Sequence, residues 1–295
     1  MDTEDLKKFL VVAKKNNLQI ASNELNVTPG ALSKVVKRIE TKLNAQLFDR
    51  VGRNIKLNQQ GEKFRHYALH LVHEAEQAIS EFSGASHTTT VKLAGPPILL
   101  QHYLPALVAK ISDARYEFNL DAGWEGQAIN QVATGQAHLA LVTQIAMSES
   151  SHTGDFERIP LGTTTFKAVA SHTHPLFSQY PDGQLTNEQL TRFGFACPSV
   201  SPFCGVKRGI GSDGWRDDKV SRTISFRSND FSVLMSLVNQ GKALAYVPDF
   251  VAQGAGLKVL TLLECDYICQ EQIELVYKPS LATGWLSRFT DAIRS

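Results

Sequence analysis

LQIASNELNVTPGALSKVVKRIE, residues 18–40, reads as a helix, a tight turn and a second helix shaped to enter a DNA groove. The first helix is expected over Leu18–Leu25, with Ala21 and Leu25 facing inward. Asn26 stands where the turn needs a left-handed backbone, the conformation asparagine tolerates best after glycine. Val27 plugs the core behind the turn. Thr28 is a good N-cap, and Pro29 falls at the first helical position, where its missing N–H costs nothing. The second helix buries Leu32, Val35, Val36 and Ile39. That spacing leaves Thr28, Pro29, Gly30, Ser33, Lys34, Lys37 and Arg38 on or near the outer face. Small and basic residues at the exposed N-terminal end of a short helix suit a major groove. The alternative is an ordinary helical hairpin inside a core. The turn, the cap and the basic face together favour the groove.

The flanking sequence carries more. LKKFLVVAKKNN (6–17) forms a first helix with Phe9 and Val12-Ala13. The second helix of the motif holds Ala31-Leu32-Ser33 and ends on Ile39-Glu40. Then come Leu47-Phe48-Asp49-Arg50 and Leu57-Asn58-Gln59-Gln60-Gly61. With these elements in this order, residues 5–64 resemble the DNA-binding domain of LysR-type transcriptional regulators. Two positions depart from the family pattern. Asn58 stands for a threonine, and Gln19 stands where a serine or threonine often caps the first helix of the motif. Ile55-Lys56-Leu57 is expected as a strand of a wing, with Arg50 and Arg53 at its entrance. The resemblance implies that this wing lies along adjacent backbone or minor groove. There, phosphate contacts give affinity while the recognition helix gives readout. Arg50 also has a structural reading, as an anchor of the wing to the helices.

Composition fits a soluble, cytoplasmic protein of two or three domains, because 295 residues are many for one core. No apolar run reaches the roughly 18 residues that span a bilayer. The opening Met-Asp-Thr-Glu-Asp is acidic and unlike a signal peptide. The net charge of +1 hides an asymmetry. Residues 1–65 hold 13 Lys/Arg against 7 Asp/Glu, a net of +6, and the remainder 17 against 22, a net of −5. A basic module on an acidic body is the footprint of a nucleic-acid binder with a separate sensing part.

A long helix follows to about Ser83. Ala68, Leu71, Ala75, Ala78 and Phe82 recur at three- and four-residue spacing, a coiled-coil seam widened by Phe64, Tyr67, Val72 and Ile79. The resemblance implies a linker helix that dimerises; the alternative is a helix packed on its own domain. His66, His70 and His73 share the opposite face and are expected to be solvated. Nothing nearby completes a metal site, so no metal and no cofactor are expected. Gly84–Thr90 reads as a polar hinge.

From Val91 strands and helices alternate. Strands are expected at 91–95, 118–122, 138–143, 164–170, 194–197, 223–226, 243–246 and 271–277. Helices are expected at 97–111, 126–134, 185–191, 230–240 and up to Ile293. Such alternation implies a parallel sheet with crossover helices. The overall expectation is α/β. The resemblance implies an N-terminal winged helix-turn-helix (1–60) that leads through a linker helix (61–88) to a two-subdomain body (89–295) like a type 2 periplasmic binding protein. Subdomain I takes 89–163 and 266–295, and subdomain II takes 164–265.

The resemblance also implies an effector held between the subdomains, homodimers or homotetramers, promoter DNA and RNA polymerase as partners, and no membrane. By position the effector residues are Pro97, Ile98, Thr143, Gln144, Ser199, Ser201 and Phe203. The loop Gly95-Pro96-Pro97-Ile98 offers no hydroxyl and loses two backbone donors to proline. It therefore favours an apolar ligand, or none, over an anion. Cys204 offers a redox trigger, against inert thiols at Cys197, Cys204, Cys265 and Cys269. An enzyme is the competing class, but nine scattered histidines form no catalytic order. A ligand-free architectural DNA binder is the third class.

Overall fold

The structure is a computed structural model that describes residues 2–52, 54–82, 89–110, 116–151, 154–282 and 284–294. The DNA-binding domain is built from α1 (Thr3–Lys15), α2 (Leu18–Glu24), α3 (Pro29–Leu43) and the hairpin β1 (Phe48–Val51) and β2 (Asn54–Leu57). Left-handed asparagines stop or follow its three helices: Asn16 at φ 52°, Asn26 at φ 51° and Asn44 at φ 50°. Phe9 is fully buried, edge-on to Phe48 and Phe64 at 5.6 and 4.9 Å, among Ile39, Leu47 and Ala68. Ala21, Leu32 and Val36 form a second small core with the partly buried Leu25 and Val27.

α4 (Gln59–Phe82) begins against this domain. A Cβ at Gly61 would lie 2.0 Å from the Leu47 carbonyl oxygen, so only glycine lets the helix start so close. The Gly61 N–H donates to Asn58 Oδ1 at 2.9 Å, and Asn58 Nδ2 donates to the Gln46 carbonyl. Asparagine thus does the capping that the family's threonine would do. The first helix of the motif is likewise capped, by Asn17 and not at position 19: Ile20 N–H donates to Asn17 Oδ1.

The body contains β3 (Thr89–Gly95), α5 (Pro97–Ala109), β4 (Tyr116–Ala122), α6 (Glu125–Ala133), β5 (Leu139–Thr143) and α7 (Gln144–Glu149). β6 (Glu157–Ala170) then runs into the second subdomain. That subdomain holds α8 (Leu176–Gln179), β7 (Gln184–Leu185), α9 (Asn187–Leu190), β8 (Gly194–Pro198), β9 (Thr223–Ser228), α10 (Phe231–Asn239), β10 (Ala245–Pro248), α11 (Asp249–Gly254), β11 (Lys258–Val259) and β12 (Thr261–Leu262). β13 (Gln270–Tyr277) returns to the first, and α12 (Gly284–Arg294) follows it.

The main sheet runs β10-β6-β13-β5-β3-β4. β5, β3 and β4 are parallel, as expected, but β13 and β6 are antiparallel to their neighbours. The sheet is therefore mixed. β6 also starts at Glu157, not Thr164. Pro160 and Gly162 interrupt the strand pattern in the sequence, and the structure absorbs them where the β6–β13 register shifts between Ile273 and Glu274. The helix expected over 185–191 divides into β7 and α9. Residues 83–88, most of the expected hinge, lie outside the described residues; Thr89 and Thr90 belong to β3.

Candidate functional site

The recognition helix is α3. Thr28 Oγ1 accepts from Ala31 N–H at 3.2 Å, and Pro29 occupies the first turn. Thr28, Gly30, Ser33, Lys34 and Lys37 are exposed, Pro29 is partly so, and Leu32, Val35, Val36 and Ile39 are buried. A Cβ at Gly30 would meet nothing within 4 Å, so the helix tip is open to a partner's close approach. Arg38 is exposed as well, and it also has a partner within the domain. Its guanidinium is held by both carboxylate oxygens of Asp5, which is 3 % exposed. Burial alone would raise the Asp5 carboxyl, but the hydrogen bond and charge of Arg38 hold it below the usual range. Arg38 thus ties α3 to α1. Arg50 is exposed on β1, opposite Ile55 in the wing, whereas Arg53 lies outside the described residues.

The linker helix corrects the seam. Ala68 is 0 % exposed and packs into the DNA-binding core with Phe64 and Val72. The outward stripe is instead Tyr67, Leu71, Ile79 and Phe82, at 60, 49, 50 and 86 % exposure, with Ala78 exposed and Ala75 partly buried. His73 is not solvated either. It is buried against the body, with its ring edge-on to His138 at 5.8 Å, and His138 in turn lies edge-on to Trp285 at 5.2 Å. Nearby, a Cβ at Gly135 (φ +70°) would come within 2.7 Å of Leu69 of α4.

A cleft of about 1270 Å³ opens between α5 and the pair α10 and α11. Pro97, Ile98, Trp124, Pro198, Phe231 and Phe250 give it apolar walls; Gln101, Asn229 and Ser232 edge it with polar groups. His102 of α5 stacks on Phe250 of α11 at 4.3 Å, so an aromatic pair bridges the subdomains. Leu99 and Leu100 N–H both donate to the Pro96 carbonyl, which takes these donors from any anion.

Of the expected effector residues, only Pro97 and Ile98 line this cleft. Thr143 is buried; its N–H donates to Glu125 Oε1 at 2.6 Å and its hydroxyl caps α7 by accepting from Ala146 N–H. Gln144 begins α7, and Ser199 N–H donates to the Ser228 carbonyl. The buried Ser201 hydroxyl accepts from Phe203 N–H in a local turn. Phe203 is core, edge-on to Phe166. Trp124, His102 and Phe250 were not singled out from sequence. An isolated aromatic carries no sign of the partner it will face.

Next to Trp124 in the chain, Glu125 belongs to a group of charges that does not line the cleft. Glu125 is 2 % exposed, and burial pushes its carboxyl up. Burial, together with repulsion from Glu125, raises Glu271 to about 7, and Glu271 Oε2 is buried without a hydrogen-bond partner among the described residues. Arg208 donates to Glu149 Oε2 at 2.9 Å. Burial pushes the Cys197 thiol up to about 12 and raises Cys269 as well, so neither is a ready thiolate.

Two family descriptions match the chain. Residues 3–62 match the bacterial regulatory helix-turn-helix protein, lysR family, and residues 84–294 match the LysR substrate binding domain. The transcriptional dual regulator GltC of Bacillus subtilis (strain 168) is 27 % identical over 256 residues, covering 84 % of this chain and 81 % of GltC. The fold matches ArgP from Mycobacterium tuberculosis with a TM-score of 0.66 at 17 % identity, over 100 % of this chain and 96 % of that one. It also matches LysG from Corynebacterium glutamicum, solved with bound effector Arg, with a TM-score of 0.64 at 18 % identity, over 100 % and 97 %. Among the described residues no helix is long and apolar enough to cross a membrane. With a capped, outward-facing recognition helix at one end and a ligand-sized cleft at the other, the chain belongs to the LysR-type transcriptional regulators, DNA-binding proteins and not enzymes.

Proposed function

We propose that two copies of this chain, joined along α4, read two half-sites of promoter DNA in the cytoplasm, and that a ligand in the α5–α10–α11 cleft sets their geometry. The observation that carries this reading is the outer face of α3, where Thr28, Gly30, Ser33, Lys34 and Lys37 are exposed above a fully apolar inner face. Arg50 and Arg53 of the wing supply phosphate contacts, and Arg38 serves mainly to fix the helix. Half-sites then lie about one helical turn, or a multiple, apart. Dimers pair into tetramers and engage RNA polymerase. The division into 1–60, 61–88 and 89–295 follows from this arrangement.

The cleft suits a largely apolar or aromatic ligand, because Ile98, Trp124, Phe231 and Phe250 supply area worth about 25 cal/mol per Å² buried. A second reading, a cationic effector such as the arginine bound by LysG, is favoured by the Asp230 carboxylate on the cleft wall. A redox trigger has less support at Cys197 and Cys269, whose thiols burial holds protonated, than at the partly exposed Cys204.

Fluorescence anisotropy with DNA from upstream of the protein's own gene tests the DNA reading. Lys34→Ala should weaken specific binding by roughly 1–3 kcal/mol and leave random DNA less affected. Equal loss on both DNAs would demote Lys34 to a phosphate contact. Thermal shifts with indole and with arginine separate the two ligand classes.

A further inference from the structure

A cavity of about 300 Å³ lies where α1, α4 and the body meet, away from the cleft. Its apolar walls come from all three parts: Leu10 and Val11 of α1, Leu69 and Val72 of α4, and Leu281 of the body. Its charged groups are unbalanced. The carboxylates on its wall are already matched, Glu76 by Lys7 at 3.0 Å and Glu24 by Lys15 at 2.5 Å. Lys14 and Lys92 are further cations on the wall, beside the paired Arg65. Arg65 bonds Glu62 through Nη2 at 2.8 Å, but its Nε is buried and has no hydrogen-bond partner among the described residues. A buried guanidinium donor without an acceptor is an expensive group to leave unmatched. His138 adds a donor to the same wall. Its Nδ1 accepts the Lys92 backbone N–H at 3.1 Å, so in the neutral ring Nε2 carries the proton.

We propose that this junction cavity binds a small carboxylate with an apolar body. The carboxylate would accept from Arg65 Nε with Lys14 and Lys92 close by, and the apolar part would lie on Leu69, Val72 and Leu281. Because the walls belong to the DNA-binding domain, the linker helix and the body, an occupant binds only when the three are docked. It therefore favours that arrangement by mass action. This site does not depend on the cleft reading.

Benzoate, titrated calorimetrically into the full-length protein, tests the proposal. It should bind once per chain. Arg65→Gln should weaken it by about tenfold or more. If Arg65→Gln fails to fold, Lys92→Gln, on an exposed side chain, carries the test with a severalfold loss. Ser236→Trp, which fills the cleft from exposed α10, should leave benzoate binding unchanged. Absence of benzoate binding, unchanged affinity in the folded Arg65 or Lys92 variants, or loss of binding in Ser236→Trp would each overturn it. So would inorganic phosphate binding as tightly as benzoate, because the apolar walls would then contribute nothing.

Discussion

Arg38 in the DNA-binding domain and Arg222 in the body are both tied to aspartates, but they sit in opposite surroundings. The Arg38 side chain is 52 % exposed and fastens one helix to another at the surface through Asp5. The Arg222 side chain is 0 % exposed. It bonds Asp213 at 2.7 and 2.8 Å and Asp217 at 2.9 Å, and it lies over the rings of Phe195 and Trp215 at 5.2 and 5.1 Å. Burial works against that charge, but its aspartates more than restore it, and the guanidinium is held more firmly protonated than usual. The long segment 199–222 has little regular structure, and this buried knot fixes its end. The contrast teaches where each part can spare charge. A module that must meet a polyanion keeps its cations wet and adaptable. A body that must hold an irregular loop uses a desolvated ion network, costly to build and costlier to break.

Breaking the buried network should give the largest effect. Arg222→Met leaves Asp213 and Asp217 buried without their cation and should cost about 3–5 kcal/mol of body stability. Urea unfolding would show this as a loss in the body while the helical N-terminal domain keeps its own transition. A joint collapse of both would mean that the regions are less separate than their charges suggest. Next comes assembly. Leu71→Asp alters a side chain that is 49 % exposed in one protomer, so folding should hold. Association should weaken by roughly 2–3 kcal/mol if the outward stripe of α4 is the seam. Sedimentation would show the smaller species, and an unchanged oligomer would move the seam elsewhere.

Glu271 sharpens the comparison from the body's side. Its carboxyl titrates near 7 in the fold against an ordinary 4.5, so between those values the folded chain binds more protons than the unfolded one. Stability is therefore lost as pH rises through that window. Glu271→Gln should stabilise the protein by about 1–2 kcal/mol at pH 8 and by almost nothing at pH 4, as read from melting midpoints. A gain independent of pH would mean that its charge is not the source of the cost. The smallest effect belongs to the N-terminal module. Asn58→Ala removes the cap of α4 and should cost about 1 kcal/mol, and Asn58→Thr should restore most of it.

The N-terminal domain was legible because its signals are local. Asn26 needs a left-handed backbone, Thr28 caps three residues ahead, and Pro29 accepts the first turn; no distant residue decides any of these. The apolar spacing of α3 likewise needed only one buried side. Ala68 was misread because alanine fits a seam between chains as well as a core within one, and only the position of α1 decides between them. In the body the sequence showed the alternation of strands and helices but not the antiparallel crossing of β6 and β13, which depends on partners far along the chain. The hydroxyls of Thr143 and Ser201 looked like ligand contacts. Both are used in local capping and turns, which a sequence read without its contacts cannot separate from binding. The cleft walls at Trp124, His102 and Phe250 arise from helices that meet only in the fold.

One helix reaches both working surfaces of the body. α6 spans nine residues, about 13 Å of rigid rise. At one end Trp124 lines the cleft and lies against Gly205, where a Cβ would come within 2.4 Å of the indole. Just past the other end, Gly135 presses on Leu69 of the linker. A strut fixed in this way transmits tilt instead of absorbing it, since close-packed contacts at both tips leave little slack. Were a ligand to shift the indole, the point on which the linker rests would move with it. Thermodynamic reciprocity would then require that DNA which favours one linker position change the affinity of the cleft by the same factor.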